Sequence, residues 1–187
     1  MPRLILVKHS SPEIVPTFPA SLWRLSESGR VKCKPLAKLL AAYQPGVIVA
    51  STEPKALETA QIIADVLGRP VETAEGLREH DRSNIAFTST EKFEAAVARF
   101  FQEPQRLVMG RETADQAHRR FAAVVDTIME RHPGETVAVV THGTVMALFV
   151  ARAAAKDPFP LWKRLDTPAF VVLSLPEREV MEIVDRV

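Results

Sequence analysis

Cysteine is almost missing from this chain: 187 residues contain one, Cys33. A lone cysteine excludes an internal disulfide and any cysteine-based zinc cluster, and it fits a reducing compartment, so a cytoplasmic location is expected. Long apolar runs are missing too. Nothing approaches the ~20 consecutive apolar residues that a membrane helix needs. The run from Leu4 to Val7, behind Met1-Pro2-Arg3, is far too short for a signal peptide. No block of like charge occurs either. Lys and Arg total 24 against 23 Asp and Glu, a formal net charge of +1. A broad basic face for nucleic acid is therefore not expected, although a local basic pocket is compatible with that balance. What is present is ordinary for a water-facing globular chain, with 47% apolar and 25% charged residues. The length suits one domain with a substantial core.

Strand and helix signals alternate along the chain. Leu4 to Val7, Val47 to Ala50 and Val137 to Val140 are short, wholly apolar runs, the pattern of strands buried on both faces of a parallel sheet. Between them lie amphipathic helical stretches. One starts near Ser26, a suitable N-cap, and runs toward Tyr43, with Pro35 expected to kink it or mark its true start. A second starts at Pro54 and stops before Gly68. A third opens with Thr113 and Gln116 in capping-box spacing and continues to about His132. A fourth follows Gly143 through Ala155. The tail, 170–175 and 180–184, reads as a hairpin added to the sheet. The segment 75–111 is less regular, has one clear helical stretch from Glu91 to Phe101, and is expected to be a flap beside a site within the same domain. The expected fold is a three-layer α/β/α sandwich with a mainly parallel sheet and helices on both faces.

Sheets of that kind bind ligands at the carboxyl ends of their strands. Lys8, His9 and Ser10 follow the first run; Ser51, Thr52 and then Lys55 follow the second; Thr141, His142, Gly143 and Thr144 follow the third. A single histidine at a strand end is most often a polar residue satisfied by nearby backbone. Two of them, each beside a small residue that lets a ligand approach, point to a site with Ser10, Gly143 and Thr144 as ligand contacts. Lysines alone would be solvated charges; beside the histidines they read as anion ligands. The group suits phosphoryl transfer, in which a neutral His9 attacks phosphorus and Lys8, Lys55 and His142 surround the oxygens. A cation about 4 Å from a phosphate oxygen is worth roughly 4 kcal/mol at an effective dielectric near 20. No metal and no other cofactor is called for. A proton donor is still needed, and Arg78-Glu79-His80-Asp81 supplies three candidates: Glu79 first, with Asp81 and His80 as alternatives.

These residues, in this order, resemble the histidine phosphatase superfamily, the phosphoglycerate mutase-like group, over nearly the whole chain. Leu6-Val7-Lys8-His9-Ser10 is similar to the family's Leu-x-Arg-His-Gly opening, and Leu25-Ser26-Glu27-Ser28-Gly29 to its Leu-Thr-x-x-Gly helix start. Ser51 to Ala60 resembles Ser-x-x-x-Arg-Ala-x-x-Thr-Ala, Leu77-Arg78-Glu79 the Leu-x-Glu segment, and Val140-Thr141-His142-Gly143 the Val-x-His-Gly turn. Gly110-Arg111-Glu112-Thr113 is similar to a Gly-Glu-Ser/Thr element with one residue intervening. The resemblance implies a phosphohistidine on His9, a phosphate pocket of Lys8, Lys55 and His142, and Glu79 as general acid. It also marks departures. Both pocket arginines are lysines, which keep the charge and lose the planar two-pronged grip. Ser10 replaces a glycine, Val15 an asparagine, and the flap lacks the usual Gly-x-Trp-Glu-Gly.

The expected function is a metal-independent phosphomonoesterase acting on a small phosphorylated metabolite. The alternatives are a weakened domain that binds a phosphorylated ligand or partner, and a phosphoglycerate mutase. The expected partner is a small phosphate ester, with no nucleic acid and no membrane; the substrate and the oligomeric state are not legible.

Overall fold

The computed structural model describes residues 2–187. Its centre is one six-stranded sheet in the order β3-β2-β4-β1-β5-β6. β1 (Arg3–Lys8), β2 (Val47–Ala50), β3 (Val71–Thr73) and β4 (Val137–Thr141) run parallel; β5 (Ala169–Ser174) and β6 (Val180–Val184) form an antiparallel hairpin on the β1 edge. The three apolar runs are thus neighbours, with β4 between β1 and β2. Alternate side chains on them feed two separate cores. Ile5, Val7, Ile48, Ala50, Ala138 and Val140 face α1 (Glu27–Ala41) and α2 (Pro54–Leu67). Leu4, Leu6, Val47, Val49, Val137 and Val139 face the opposite layer, built from α3 (Thr90–Gln102), α4 (Ala114–Arg131) and α5 (Gly143–Ala153). A short α6 (Pro158–Arg164) packs on α5. The expected α/β architecture is the one found.

Local chemistry explains the helix boundaries. The Ser26 hydroxyl caps α1 by accepting from the Gly29 amide, and Pro35 lies inside this helix instead of starting it. Pro54 occupies the first turn of α2, and Gly68 ends it in the left-handed conformation at φ 61°. Thr113 and Gln116 form a reciprocal capping box at the start of α4. Among the strands and α-helices two escape the sequence reading: β3, a three-residue edge strand without a buried residue, and the proline-rich α6. No helix among the described residues is long and apolar enough to cross a membrane.

Candidate active site

The parallel register brings the strand ends together. Lys8 pairs with Thr141 in the β1–β4 ladder, and the His9 amide continues it by donating to the Thr141 carbonyl at 3.0 Å. The Ser51 amide likewise donates to the Val140 carbonyl at 2.9 Å. His9 and His142 consequently sit side by side at the carboxyl edge, ring centroids 5.2 Å apart and edge to face. Both are buried.

The tautomer of His9 follows from its partner. Its Nδ1 lies 2.8 Å from the Ser10 carbonyl oxygen, which can only accept, so Nδ1 carries the hydrogen and Nε2 keeps its lone pair. Burial, then the neighbouring His142 and Lys55, hold the imidazole well below the ordinary histidine range, hence neutral near pH 7. His142 is lowered in the same way, first by burial and then by Lys55. Its Nε2 is 2.8 Å from the Ser51 hydroxyl.

The two lysines come from different elements, Lys8 from the end of β1 and Lys55 from α2. Lys55, in the first turn of α2, donates to the Ala20 carbonyl at 2.7 Å and to Glu53 Oε2 at 2.5 Å. Lys8 donates to the Leu165 carbonyl at 2.7 Å, and burial lowers its pKa from the usual lysine value. Its stem crosses the start of α5: a Cβ on Gly143 would stand 3.1 Å from Lys8 Cε.

Glu79 comes in from the flap and meets the N-terminus of α5. One carboxylate oxygen accepts from the amides of His80 (2.9 Å) and Val145 (3.2 Å), the other from that of Thr144 (3.1 Å). Burial alone would raise this carboxyl. Arg82, His142 and the backbone donors overcome it and hold the group well below the usual carboxylate range. Glu79 is therefore ionised in the resting site. Of the alternatives, His80 is turned inward, against Phe100 and the Glu112 carbonyl. Asp81 accepts from Ser83 at the rim.

Ser10 departs from its expected role. Its hydroxyl donates to the Gly29 carbonyl at 2.7 Å and its amide to the Thr59 hydroxyl at 3.0 Å, so neither faces a ligand. Gly29 must be glycine for this packing, since a Cβ there would stand 2.1 Å from the Ser11 carbonyl oxygen. Thr144 spends its amide on Glu79, while its Oγ1, His142 Nδ1 and Arg82 Nη1 are buried without a protein partner among the described residues.

Four further residues complete the arrangement, and none was visible as a site residue in the sequence. Arg120, from α4, holds the buried Glu112 carboxylate at 2.5 and 3.2 Å and also donates to the carbonyls of Gly76, Arg78 and Glu79. Glu112 in turn accepts from the Asp81 amide at 3.0 Å. Together they clamp the segment that carries Glu79. Arg82 stacks over Phe93 and lies 3.9 Å from Glu79. Glu53 touches three parts of the site: Lys55, the Glu79 amide (2.8 Å) and His142 Nε2 (3.7 Å). The Ser51 to Ala60 motif contains Glu53 but gives no reason to single it out.

A cavity of about 190 Å³ adjoins these groups. Glu53 and Lys55 line it from the α2 side, and Arg78, Glu79 and Arg82 from the flap. The described residues contain no group of three or more His, Cys, Asp or Glu placed to hold a metal ion.

Comparison with known proteins finds relatives over most of the chain. The chain is 26% identical over 187 residues to phosphoserine phosphatase 1 of Hydrogenobacter thermophilus, covering 95% of this chain and 89% of that one. It is 31% identical over 137 residues to phosphoglycerate mutase-like protein 4 of Arabidopsis thaliana, spanning 69% of this chain and 60% of the plant protein. Among solved structures, a phosphoserine phosphatase mutant from Entamoeba histolytica in complex with phosphoserine superposes with a TM-score of 0.79 at 15% identity, covering 98% of this chain and 97% of that one. Bacillus stearothermophilus YhfR gives 0.78 at 24% identity, covering 99% and 96%. The family model of the histidine phosphatase superfamily, branch 1, matches residues 22–182. With two buried histidines at adjoining strand ends and that match over most of its length, the chain belongs to the histidine phosphatase superfamily.

Proposed function

We propose that this protein is a phosphomonoesterase that hydrolyses a small phosphorylated metabolite through a phosphohistidine on His9. The observation that carries the reading is the fixed tautomer of His9: a neutral ring whose Nδ1–H is held by the Ser10 carbonyl presents Nε2 as a nucleophile. Membership of a phosphatase superfamily and likeness to proteins named phosphoserine phosphatase support the reaction class.

In the first step Nε2 of His9 attacks phosphorus and the P–O ester bond breaks, the electron pair leaving with the alkoxide. In the second, water attacks phosphorus, the P–N bond breaks with its electron pair returning to His9 Nε2, and inorganic phosphate departs. Lys8, Lys55 and His142 stabilise the charge on the oxygens in flight. The leaving alkoxide needs a proton, and Glu79 is the carboxyl in place to give it. Because Glu79 rests ionised, that role requires it to gain a proton when substrate binds. An ester that arrives as the monoanion carries one. On giving that proton to the alkoxide Glu79 returns to the carboxylate; in the second step it takes a proton from the attacking water and passes it to the departing phosphate, so the cycle ends with Glu79 ionised again. No step uses a metal.

The test is incubation with a chromogenic aryl phosphate, followed by trapping of acid-labile phosphoprotein. The wild-type protein is expected to show both turnover and label. His9→Ala should lose both while keeping its circular dichroism spectrum, and undiminished hydrolysis by this variant would overturn the assignment.

A further inference from the structure

The phosphate pocket holds an anion of its own. Glu53 is buried, and its carboxylate divides between groups that the proposed reaction needs for phosphate. Oε2 takes the Lys55 ammonium at 2.5 Å, while Oε1 lies 3.7 Å from His142 Nε2 and accepts the Glu79 amide at 2.8 Å. Glu53 also lines the cavity, whereas His9 and His142 do not. The Glu53–Lys55 pair thus stands where the cavity meets the histidine pair. The remaining donors of the pocket are partly spoken for: Lys55 also binds the Ala20 carbonyl, and Lys8 the Leu165 carbonyl.

We propose that Glu53 is a resident competitor for the phosphoryl group, a fixed negative charge that a phosphate must displace from Lys55 and that thereby sets how weakly phosphate esters and inorganic phosphate bind. This inference rests on the phosphatase reading above. Its physical basis is simple. A dianion entering within reach of Lys55 and His142 meets a like charge in a buried place, where screening by water is poor. The arrangement lowers ground-state affinity for every phosphate species, including the product, so the enzyme releases inorganic phosphate readily. Uniform weakening of this kind raises KM and the product inhibition constant together.

A purely structural Glu53, there only to hold Lys55 and the flap, gives the opposite result on removal: a looser pocket and weaker binding. Glu53→Gln separates the two. The charge is lost and the side-chain length is kept; the single carboxamide oxygen keeps one of the two acceptor contacts, with Lys55 or with the Glu79 amide, which different carboxylate oxygens make in the wild type. Titration calorimetry with inorganic phosphate on the full chain should show Kd falling about tenfold in Glu53→Gln. KM for an aryl phosphate should fall in parallel. Glu53→Asp, which keeps the charge on a shorter arm, should stay within about threefold of wild type. Asp65→Asn removes an equal charge from the exposed part of α2 and should change nothing, which controls for net charge. Phosphate affinity in Glu53→Gln that is unchanged or weaker, with the wild type active, overturns this inference and leaves the phosphatase reading standing. A wild-type protein that neither hydrolyses the ester nor binds phosphate overturns the phosphatase reading and this inference with it.

Discussion

The strand-end wall and the flap wall of the site are held by different forces. His9, Ser51 and His142 sit one residue beyond strands whose ladders and apolar neighbours fix them; every residue of β2 and β4 is buried. Glu79 has no such frame. Its segment, around a short turn at Glu75–Leu77, is positioned by Arg120, which donates to three carbonyls of that segment and binds Glu112, itself bonded to the Asp81 amide. One wall is therefore distributed over many weak interactions, and the other rests on a small set of polar ones, the Arg120–Glu112 pair with the most contacts among them. Side-chain removal should be tolerated at the first and felt at the second.

The largest expected effect is on Glu79 itself. Glu79→Gln should slow esters with poor leaving groups by about 10²–10⁴-fold, the usual span for general-acid assistance, and aryl esters much less. Equal losses on both would shift the donor role away from Glu79. Next comes the clamp. Arg120→Ala leaves the buried Glu112 carboxylate to the longer Arg78 contact and the Asp81 amide, and three carbonyls short of a donor, and should cost about 3 kcal/mol of stability by chemical denaturation. A matching truncation on the strand-end wall is expected to cost much less. Ser10→Ala, which removes one hydrogen bond to a carbonyl that Cys33 also serves, should cost about 1 kcal/mol. A clamp variant no less stable than the Ser10 variant would erase the contrast between the walls.

Between those two in size lies a pH effect. Proton gain by Glu79 from a monoanionic ester makes kcat/KM for alkyl esters fall about tenfold per pH unit above ~6, near the second ionisation of a phosphate monoester. The lowered pKa of His9 keeps the nucleophile neutral, so no matching loss should appear between pH 7 and 6. A profile flat from pH 6 to 9 would remove the proton-gain step.

The strand-end wall was also the legible one. Three apolar runs and the small residues behind them place His9, Lys8, Ser51, Lys55, His142 and Gly143 from sequence alone, because period and burial are local properties. The capping box at Thr113 and the stop at Gly68 are read for the same reason. β3 and α6 fail it: one offers three half-exposed residues at an edge, the other two prolines in seven positions. On the flap, Glu79 is found by its motif, but its ionised state is not, since this depends on amides 65 and 66 residues away. Arg120 and Glu53 act across comparable separations, and no linear pattern announces them. Ser10 shows the converse. Its place beside His9 is clear, yet the direction of its hydroxyl is decided by Gly29, nineteen residues on.

The loop from Ser11 to Trp23 is anchored by side chains at its two ends, the Ser11 hydroxyl on the Thr167 carbonyl and the Trp23 indole, and between them through backbone carbonyls. Lys55 binds the carbonyl of Ala20, the Trp23 indole binds those of Val15 and Phe18, and the Trp23 carbonyl receives the Lys55 amide. The residues that offer only a carbonyl, Val15, Phe18 and Ala20, are held whatever their side chains. Pro19, Ala20 and Ser21 border the cavity, yet the fold asks little of their side chains, so substrate preference is free to diverge here at small cost to stability. A library randomised at Ala20 and Ser21, screened on a panel of phosphate esters, would test this: altered preference with stability unchanged is the expected outcome.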